Sequence, residues 1–443
     1  MSDISASIEP DDLDGLFARF FADRPHVRTA LAVSGGSDST ALMALMAEWI
    51  ARTGRSFASC TVLTVDHRLR PGSAAEADAV ARQASALGLG HAILVWQGDK
   101  PASGLQAAAR RARYRLMADY ALAHDIGLIV TAHTEDDQAE TLLMRLARGS
   151  GLDGLGAMAP LAPLQDGEPL LIARPLLEVP KARLQAYLRR RGIGWIEDPS
   201  NASPIFERVR LRAAKSALEG IGLTPGMLSL SARRLRQVRA ALDRWVADVL
   251  DPRAGIVEVH PCGFFDVDRS KLTALPDEIV SRVFAHAVAA AGGAGQPVPL
   301  AGVEAILAEL ASTPTGAWTL ARARVAAAPE RVLIEREPGR DALPTLLLVP
   351  GSVAVWDGRF RVSTGHRCEG AVEVRALGVE GVRELRARVD VATRLPVGSL
   401  RATPSFWRGI DLLAVPPLDF RSGAEAGELR ATFQALAGSG GGG

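Results

Sequence analysis

Apolar residues recur along the first half of the chain in two alternating rhythms. Leu13, Leu16, Phe17, Phe20 and Phe21 fall three or four apart within residues 1–28, which predicts a short amphipathic helix leading into a first strand. The run Leu31-Ala32-Val33 is uniformly apolar and stops at Ser34-Gly35-Gly36-Ser37. Leu42, Leu45, Met46 and Trp49 then follow at helical spacing. That is a strand, a tight turn and a helix start. Short apolar runs predict further strands at Thr61–Val65, Ala92–Trp96 and Leu128–Thr131, with helical segments at Ala74–Leu87, Leu105–Ala123 and Asp136–Ala147. This alternation implies an α/β fold, a doubly wound parallel sheet covered on both faces. Ligands in such sheets bind beyond the carboxyl ends of the strands, so the residues after each strand are the candidates for chemistry.

The rhythm changes after about Lys215, where a second unit is expected. Thr224-Pro225 offers an N-cap and a first-turn proline. Leu228, Leu235, Leu242 and Val249, with Val238 and Trp245, then form a heptad-like stripe that reads as helix packing. Arg233, Arg234, Arg236 and Arg239 cluster around its other faces, with RNA contact the less favoured reading. Ala294–Pro297 reads as a loop, Gly302–Ala311 as a helix, and Trp318–Val325 with Arg331–Arg336 as paired strands. Glu337-Pro338-Gly339-Arg340 reads as a linker. Beyond it, Val353–Phe360 predicts a hairpin, because Asp357-Gly358 favours the positive φ of a tight turn. Thr403-Pro404 and Pro416-Pro417 bracket another β-like stretch. The expected division is therefore residues 1–215, a mostly helical middle domain 216–337, a small α+β domain 341–437, and a flexible glycine tail 438–443.

Composition narrows the function. A chain of 443 residues can hold two or three domains. Cys60, Cys262 and Cys368 are isolated, which disfavours a zinc ribbon, an iron–sulfur site or a disulfide framework. The polar, acidic start is unlike a signal peptide, and no apolar run is long enough for a membrane span. A cytoplasmic protein with no membrane partner is expected. Net charge is only +1, yet Arg174 to Lys215 holds ten Arg or Lys against four acids. Such a stripe could hold phosphates, though taken alone a solvated helix face is the favoured reading.

Two polar clusters carry the candidate chemistry. In the first, Gly35 and Gly36 allow close backbone approach, and the following helix start presents free amides and a positive dipole end. That turn suits a phosphate. Ser34, Ser37 and Ser39 add hydroxyls, and Asp38 is placed to hold Mg²⁺ against phosphate oxygens. Neither a lysine-containing P-loop nor a dinucleotide fingerprint is present. In the second cluster, His133 precedes Asp136, Asp137 and Glu140, carboxylates three or four apart near one helix turn. They suit a cationic substrate or Mg²⁺, although helix-dipole compensation alone would also place acids there.

Ser34–Ser39 looks like the pyrophosphate-binding loop of ATP pyrophosphatases, and further motifs in order resemble the tRNA(Ile)-lysidine synthetase family. These are Asp66-His67-Arg68-Leu69-Arg70, Ala109-Arg110-Arg111-Ala112-Arg113-Tyr114, Asp136–Thr141 with Arg145–Gly151, Arg174-Pro175-Leu176-Leu177, and Glu197-Asp198-Pro199-Ser200-Asn201. Trp356–Phe360 and Leu412–Pro416 look like the family's C-terminal domain. The resemblance implies an N-terminal domain of adenine-nucleotide alpha-hydrolase-like type, followed by two tRNA-binding domains. It also implies ATP as substrate with Mg²⁺, lysine, and tRNA(Ile) with a CAU anticodon as partner; a homodimer is left open. ATP would lie on Ser34, Gly35, Gly36, Ser37, Asp38 and Ser39. Asp136, Asp137 and Glu140, with His133 nearby, would hold the lysine amine. Arg111, Arg113, Arg145, Arg148, Arg208 and Arg212 are implied as phosphate or RNA contacts.

Two departures stand out. The family commonly has His where this chain has Thr134, and Asn where it has Val209. The alternatives are another adenylating tRNA-modification enzyme of the same superfamily and a non-catalytic ATP- or RNA-binding relative. Paired cysteines, wanted by a thiolase, are absent, and the intact acidic residues argue against the second.

Overall fold

Successive side chains along each strand point to opposite faces of a central sheet. The computed structural model describes residues 8–435 except 70–71, 99, 102, 165–169, 198–206, 294–297, 338 and 340–341. Arg70, the Asp198–Asn201 motif, the Ala294–Pro297 loop, Pro338 and Arg340 of the linker, and the glycine tail lie outside the described residues. The chain divides into two compact units, the first reaching Ala240 and the second beginning at Ala241.

In the first unit, α1 (Asp12–Phe21) precedes β1 (Arg28–Ala32), α2 (Ser37–Thr53), β2 (Cys60–Asp66), α3 (Ser73–Ala86), β3 (Gly90–Val95), α4 (Leu105–Ala123) and β4 (Ile126–Val130). Then come α5 (Glu135–Ala147), α6 (Leu152–Leu155), β5 (Leu161–Pro163), β6 (Leu171–Ala173), α7 (Lys181–Arg191), α8 (Glu207–Ala213) and α9 (Lys215–Gly220); α10 (Pro225–Leu250) begins in this unit and ends in the second. The sheet order is β3-β2-β1-β4-β6-β5, parallel except for β5. Leu31, Val62, Leu128 and Val130 face a core shared with α1, α2, α3 and α7. Ala30, Leu63, Ile126 and Ile129 face α4. Both faces are covered, as the near-continuous apolar strands require. Among the described residues no helix is long and apolar enough to cross a membrane.

The expected stripe on α10 is only partly buried. Leu228 and Val249 are buried, Leu235 and Leu242 half-buried, and Val238 and Trp245 exposed. Heptad spacing drifts around a 3.6-residue helix, so a stripe this long cannot stay on one face without supercoiling.

The second unit carries helices and three antiparallel sheets. β7 (Val257–His260), β8 (Phe264–Asp268), β9 (Gly316–Leu320), β10 (Ala323–Ala327) and β11 (Arg331–Arg336) form a sheet in the order β7-β8-β11-β10-β9. It packs on α11 (Arg269–Thr273), α12 (Asp277–Gly292) and α13 (Leu300–Ser312). The segment expected as one strand over Trp318–Val325 is instead a hairpin. Ala321 and Arg322 both take positive φ at its turn, a conformation neither residue advertises. Further on, β12 (Leu346–Leu348), β13 (Val353–Trp356), β14 (Phe360–Ser363) and β15 (Val372–Ala376) precede β16 (Pro404–Arg408), β17 (Asp411–Val415), β18 (Phe420–Arg421) and β19 (Arg430–Phe433). The hairpin at Asp357-Gly358 forms as read, with φ of 50° and 65°. Asp357 is buried and bonds Arg336 at 2.9 Å and Arg359 at 2.8 Å, fastening β11 to this hairpin.

Candidate active site

The winding of the first sheet reverses between β1 and β4. The loops leaving these strands therefore stand side by side at a topological switch point, where a crevice forms. The β1 loop is braced from within. Gly35 has φ +87°, and a Cβ there would meet the Ile196 side chain at 2.6 Å. The Gly35 carbonyl accepts from the Ile196 amide at 2.8 Å and from Thr40 Oγ1 at 3.1 Å. Ser39 Oγ donates to the Gly36 carbonyl at 3.1 Å and accepts from the Ser34 amide at 3.2 Å. Ser34 and Ser39 thus fix the loop's shape. The amides that begin α2 have no intrahelical acceptor and face the crevice end of the helix, where an anion is favoured.

Asp38 lies in the first turn of α2. Its Oδ1 accepts from Ser37 Oγ at 3.0 Å, and its Oδ2 bonds Lys181 Nζ at 3.0 Å. Burial raises its pKa in spite of the Lys181 ammonium. Across the crevice, Thr134 caps α5 in a reciprocal box: Asp137 Oδ2 accepts from the Thr134 amide at 2.9 Å and from its hydroxyl at 3.0 Å. The hydroxyl at this departure from the family pattern therefore has a structural use. Asp136 accepts from the Lys181 amide at 3.0 Å and from Lys215 Nζ at 3.0 Å. Burial pushes Asp136 up, but these donors outweigh it and hold it below the usual carboxylate range. Glu140, only 7% exposed, is raised by burial against the pull of the Arg212 guanidinium, which it bonds at 2.5 and 3.2 Å.

These groups line a cavity of about 270 Å³. Asp38, Asp136, Asp137, Glu140, Lys181, Arg212 and Lys215 supply its polar wall. Leu143, Leu211, Leu218, Leu223 and Leu228 supply the apolar one. Carboxylates beside aliphatic walls match a ligand with a long apolar stem and a cationic end.

His133 stands at the edge of this arrangement. Its Nδ1 lies 2.9 Å from Thr131 Oγ1. Burial, with smaller contributions from nearby arginines, pushes the imidazole down to about 3 against the pull of Asp137. The ring is neutral at physiological pH.

Of the six arginines expected to touch phosphate or RNA, four are engaged within the fold. Arg145 donates to the Gly154 and Ala157 carbonyls at 2.6 and 3.1 Å. Arg148 pairs with Glu207 at 2.5 Å, while Arg208 approaches Glu140 at 3.9 Å beside Arg212. Arg113 lies 5.3 Å from the Tyr114 ring centre, and Arg111 is exposed on α4. Lys181 and Lys215 were not singled out from sequence. A lysine opening α7 opposes the helix dipole, which was the one local sign that it had a carboxylate partner elsewhere. The conspicuous Gln138 is structural: it exchanges two 2.8 Å bonds with the backbone of Met158. Cys60 and Cys262 are buried thiols pushed up to about 12, so neither is a poised nucleophile.

A sequence profile described as a PP-loop domain matches residues 12–216. The curated tRNA(Ile)-lysidine synthase of Ruegeria pomeroyi is 39% identical over 414 residues, covering 92% of either chain. That of a Bradyrhizobium species is 44% identical over 329 residues, covering 70% of this chain and 90% of its own. Among solved structures, a U34-tRNA thiolase from Methanococcus maripaludis aligns with a TM-score of 0.43 at 14% identity, over 52% of this chain and 77% of its own.

Proposed function

The chain belongs to the tRNA(Ile)-lysidine synthase family, and from that premise we propose how its residues divide the work. The protein is a ligase that uses ATP to form lysidine on tRNA(Ile). In our reading the ATP phosphates lie against the amides that open α2, with Ser34–Ser39 shaping the loop. The C2 carbonyl oxygen of the wobble cytidine attacks the α-phosphorus, and pyrophosphate leaves. The ε-amine of lysine then attacks C2, and AMP leaves. No covalent enzyme intermediate is needed.

The cavity between α2, α5 and α7–α10 is the observation that carries this reading. Its leucines accommodate a four-carbon stem, and its carboxylates hold the cationic end. A desolvated ammonium loses its proton more readily than one in water. Glu140, raised by burial, is the better-placed acceptor for that proton. His133, neutral and weakly basic, contributes hydrogen bonds.

Asp38 fits Mg²⁺ in the manner of ions held by one carboxylate and the substrate's own phosphates. When bound there, the ion would neutralise charge on the departing pyrophosphate. The assignment of 216–337 and 341–437 to tRNA binding, beside a catalytic 1–215, belongs to the same proposal, and a homodimer remains compatible with it.

The test is AMP release from ATP with lysine and each tRNA added or omitted, followed by nucleoside analysis of the wobble base. AMP and lysidine are expected only when ATP, lysine and the CAU-anticodon tRNA(Ile) are all present. AMP with another amine or tRNA would keep the adenylation but reassign the substrate.

A further inference from the structure

Arg174 follows β6 directly and is 7% exposed. Its Nη1 donates to the Ala159 carbonyl at 2.8 Å, while its Nε is buried and makes no hydrogen bond among the described residues. The group has company of its own sign. Arg110 and Arg113 lie 5.0 and 5.3 Å from the centre of the Tyr114 ring, which steadies both stems. Thr131 donates its amide to the Ala173 carbonyl at 2.9 Å and contacts His133, which brings the β4 loop against the end of β6. The charges of Arg174, Arg113 and Arg110 all act on His133, and that of Arg110 acts on Arg174.

No carboxylate among the described residues pairs with any of these three arginines. A buried guanidinium without a counter-charge or a full set of acceptors is strongly unfavourable, so such a cluster persists where an anion completes it. Guanidinium groups match tetrahedral phosphoryl oxygens in spacing and charge.

We propose that Arg174, with Arg110 and Arg113, forms a second phosphoryl-anion subsite, built from residues other than the Ser34–Ser39 loop. It rests on the reading of this crevice as an ATP-dependent RNA-modifying centre. The anion is either the pyrophosphate portion of the nucleotide or a phosphodiester beside the wobble cytidine; both present the same chemistry to the arginines. The subsite would hold its anion while the amine is delivered from the acidic cavity.

Two titrations of the full chain test this. Inorganic pyrophosphate is followed by calorimetry, and an RNA stem-loop with a CAU anticodon by fluorescence anisotropy at several salt concentrations. The proteins compared are wild type, Arg174→Lys, Arg110→Ala and, as a control on an exposed α4 position, Arg115→Ala. Arg174→Lys and Arg110→Ala should each weaken at least one titrant about tenfold, the scale of a lost charge-assisted contact. Arg115→Ala should follow wild type. A loss confined to pyrophosphate assigns the site to the nucleotide. A loss confined to RNA, with the salt dependence shallower by about one unit, assigns it to a phosphodiester. Unchanged affinity for both in folded variants overturns the proposal. Should Arg174→Lys fail to fold, Arg110→Ala decides alone, because its side chain is exposed. Neither titration reads lysidine. A wild type that binds anion here yet makes no lysidine would refute the functional reading and leave this site standing.

Discussion

The acidic cavity and the basic corner of the first unit both bury charge, and they do so in opposite ways. In the cavity each carboxylate has a donor from the chain: Asp38 has Lys181, Asp136 has Lys215, Glu140 has Arg212, and Asp137 has the Thr134 cap. In the corner Arg174 carries a buried nitrogen with no hydrogen-bond partner among the described residues, beside two further arginines. A paired site can exchange one cation for another at modest net cost, because the carboxylates never lose their counter-charge. An unpaired site depends on its ligand for neutralisation. The cavity is thus suited to an amine that enters and reacts, and the corner to an anion held throughout. His133 sits where the two fields meet: Asp137 favours its protonated form, and the arginines disfavour it.

The largest expected effect comes from breaking the acidic side at its junction with the β1 loop. Asp38→Ala should lower AMP formation by at least about 10³-fold, the scale of losing a preorganised charge at developing phosphate charge. Its melting temperature should stay near wild type; normal turnover would remove Asp38 from the site. Next comes Glu140→Gln, which leaves the Arg212 guanidinium beside a neutral amide. A drop of about 10²-fold in kcat/KM for lysine is expected, with ATP binding little changed. If ATP affinity falls instead, the cavity serves the nucleotide.

A smaller effect tests the boundary between the regions. His133 is held down to about 3, below the ordinary imidazole value of 6.5. The folded state therefore stays unprotonated while the unfolded chain takes up a proton. Its contribution to stability is complete above pH 6.5 and is lost as pH falls towards about 3. Compared with His133→Gln, wild type should lose melting temperature across that window, and parallel curves would contradict the neutral ring. The smallest change is expected from Lys215→Met. Removing a half-exposed ammonium from Asp136 takes away a competitor for the substrate amine, so KM for lysine should fall about threefold, the scale of an exposed ion pair. A rise would mean that Lys215 orients Asp136.

The sheet and the helices that cover it were legible because their signals are local. Apolar runs and 3.6-residue spacing placed β2, β3, β4 and α4 within a few residues, and Asp-Gly announced the Asp357-Gly358 turn. The Ala321-Arg322 turn carried no such signal, since neither residue favours positive φ. At the site, the β1 loop and the acidic residues of α5 could be found from sequence. The partners of those acids could not, because Lys181 is distant from Asp38 in the chain and close to it only through the fold. The same limit applied to the arginines. Arg145 reads as a candidate RNA contact by composition and position, but its guanidinium is committed to the carbonyls of Gly154 and Ala157, in and just after α6. Arg174 stood in a recognisable motif, yet its unpartnered nitrogen is visible only once β6 is buried.

The central claim is that the acidic cavity selects the ammonium end of lysine. Calorimetric titration of the ATP-bound protein with L-lysine and with L-norleucine, which keeps the four-carbon stem and lacks the ε-amine, tests it most directly. Lysine should bind at least about 100-fold more tightly than norleucine, because only the ammonium can stand in for the chain's own donors at the carboxylates when a ligand enters. That preference should collapse in Glu140→Gln. Equal binding of the two amino acids, or an undiminished preference in Glu140→Gln, would contradict the account.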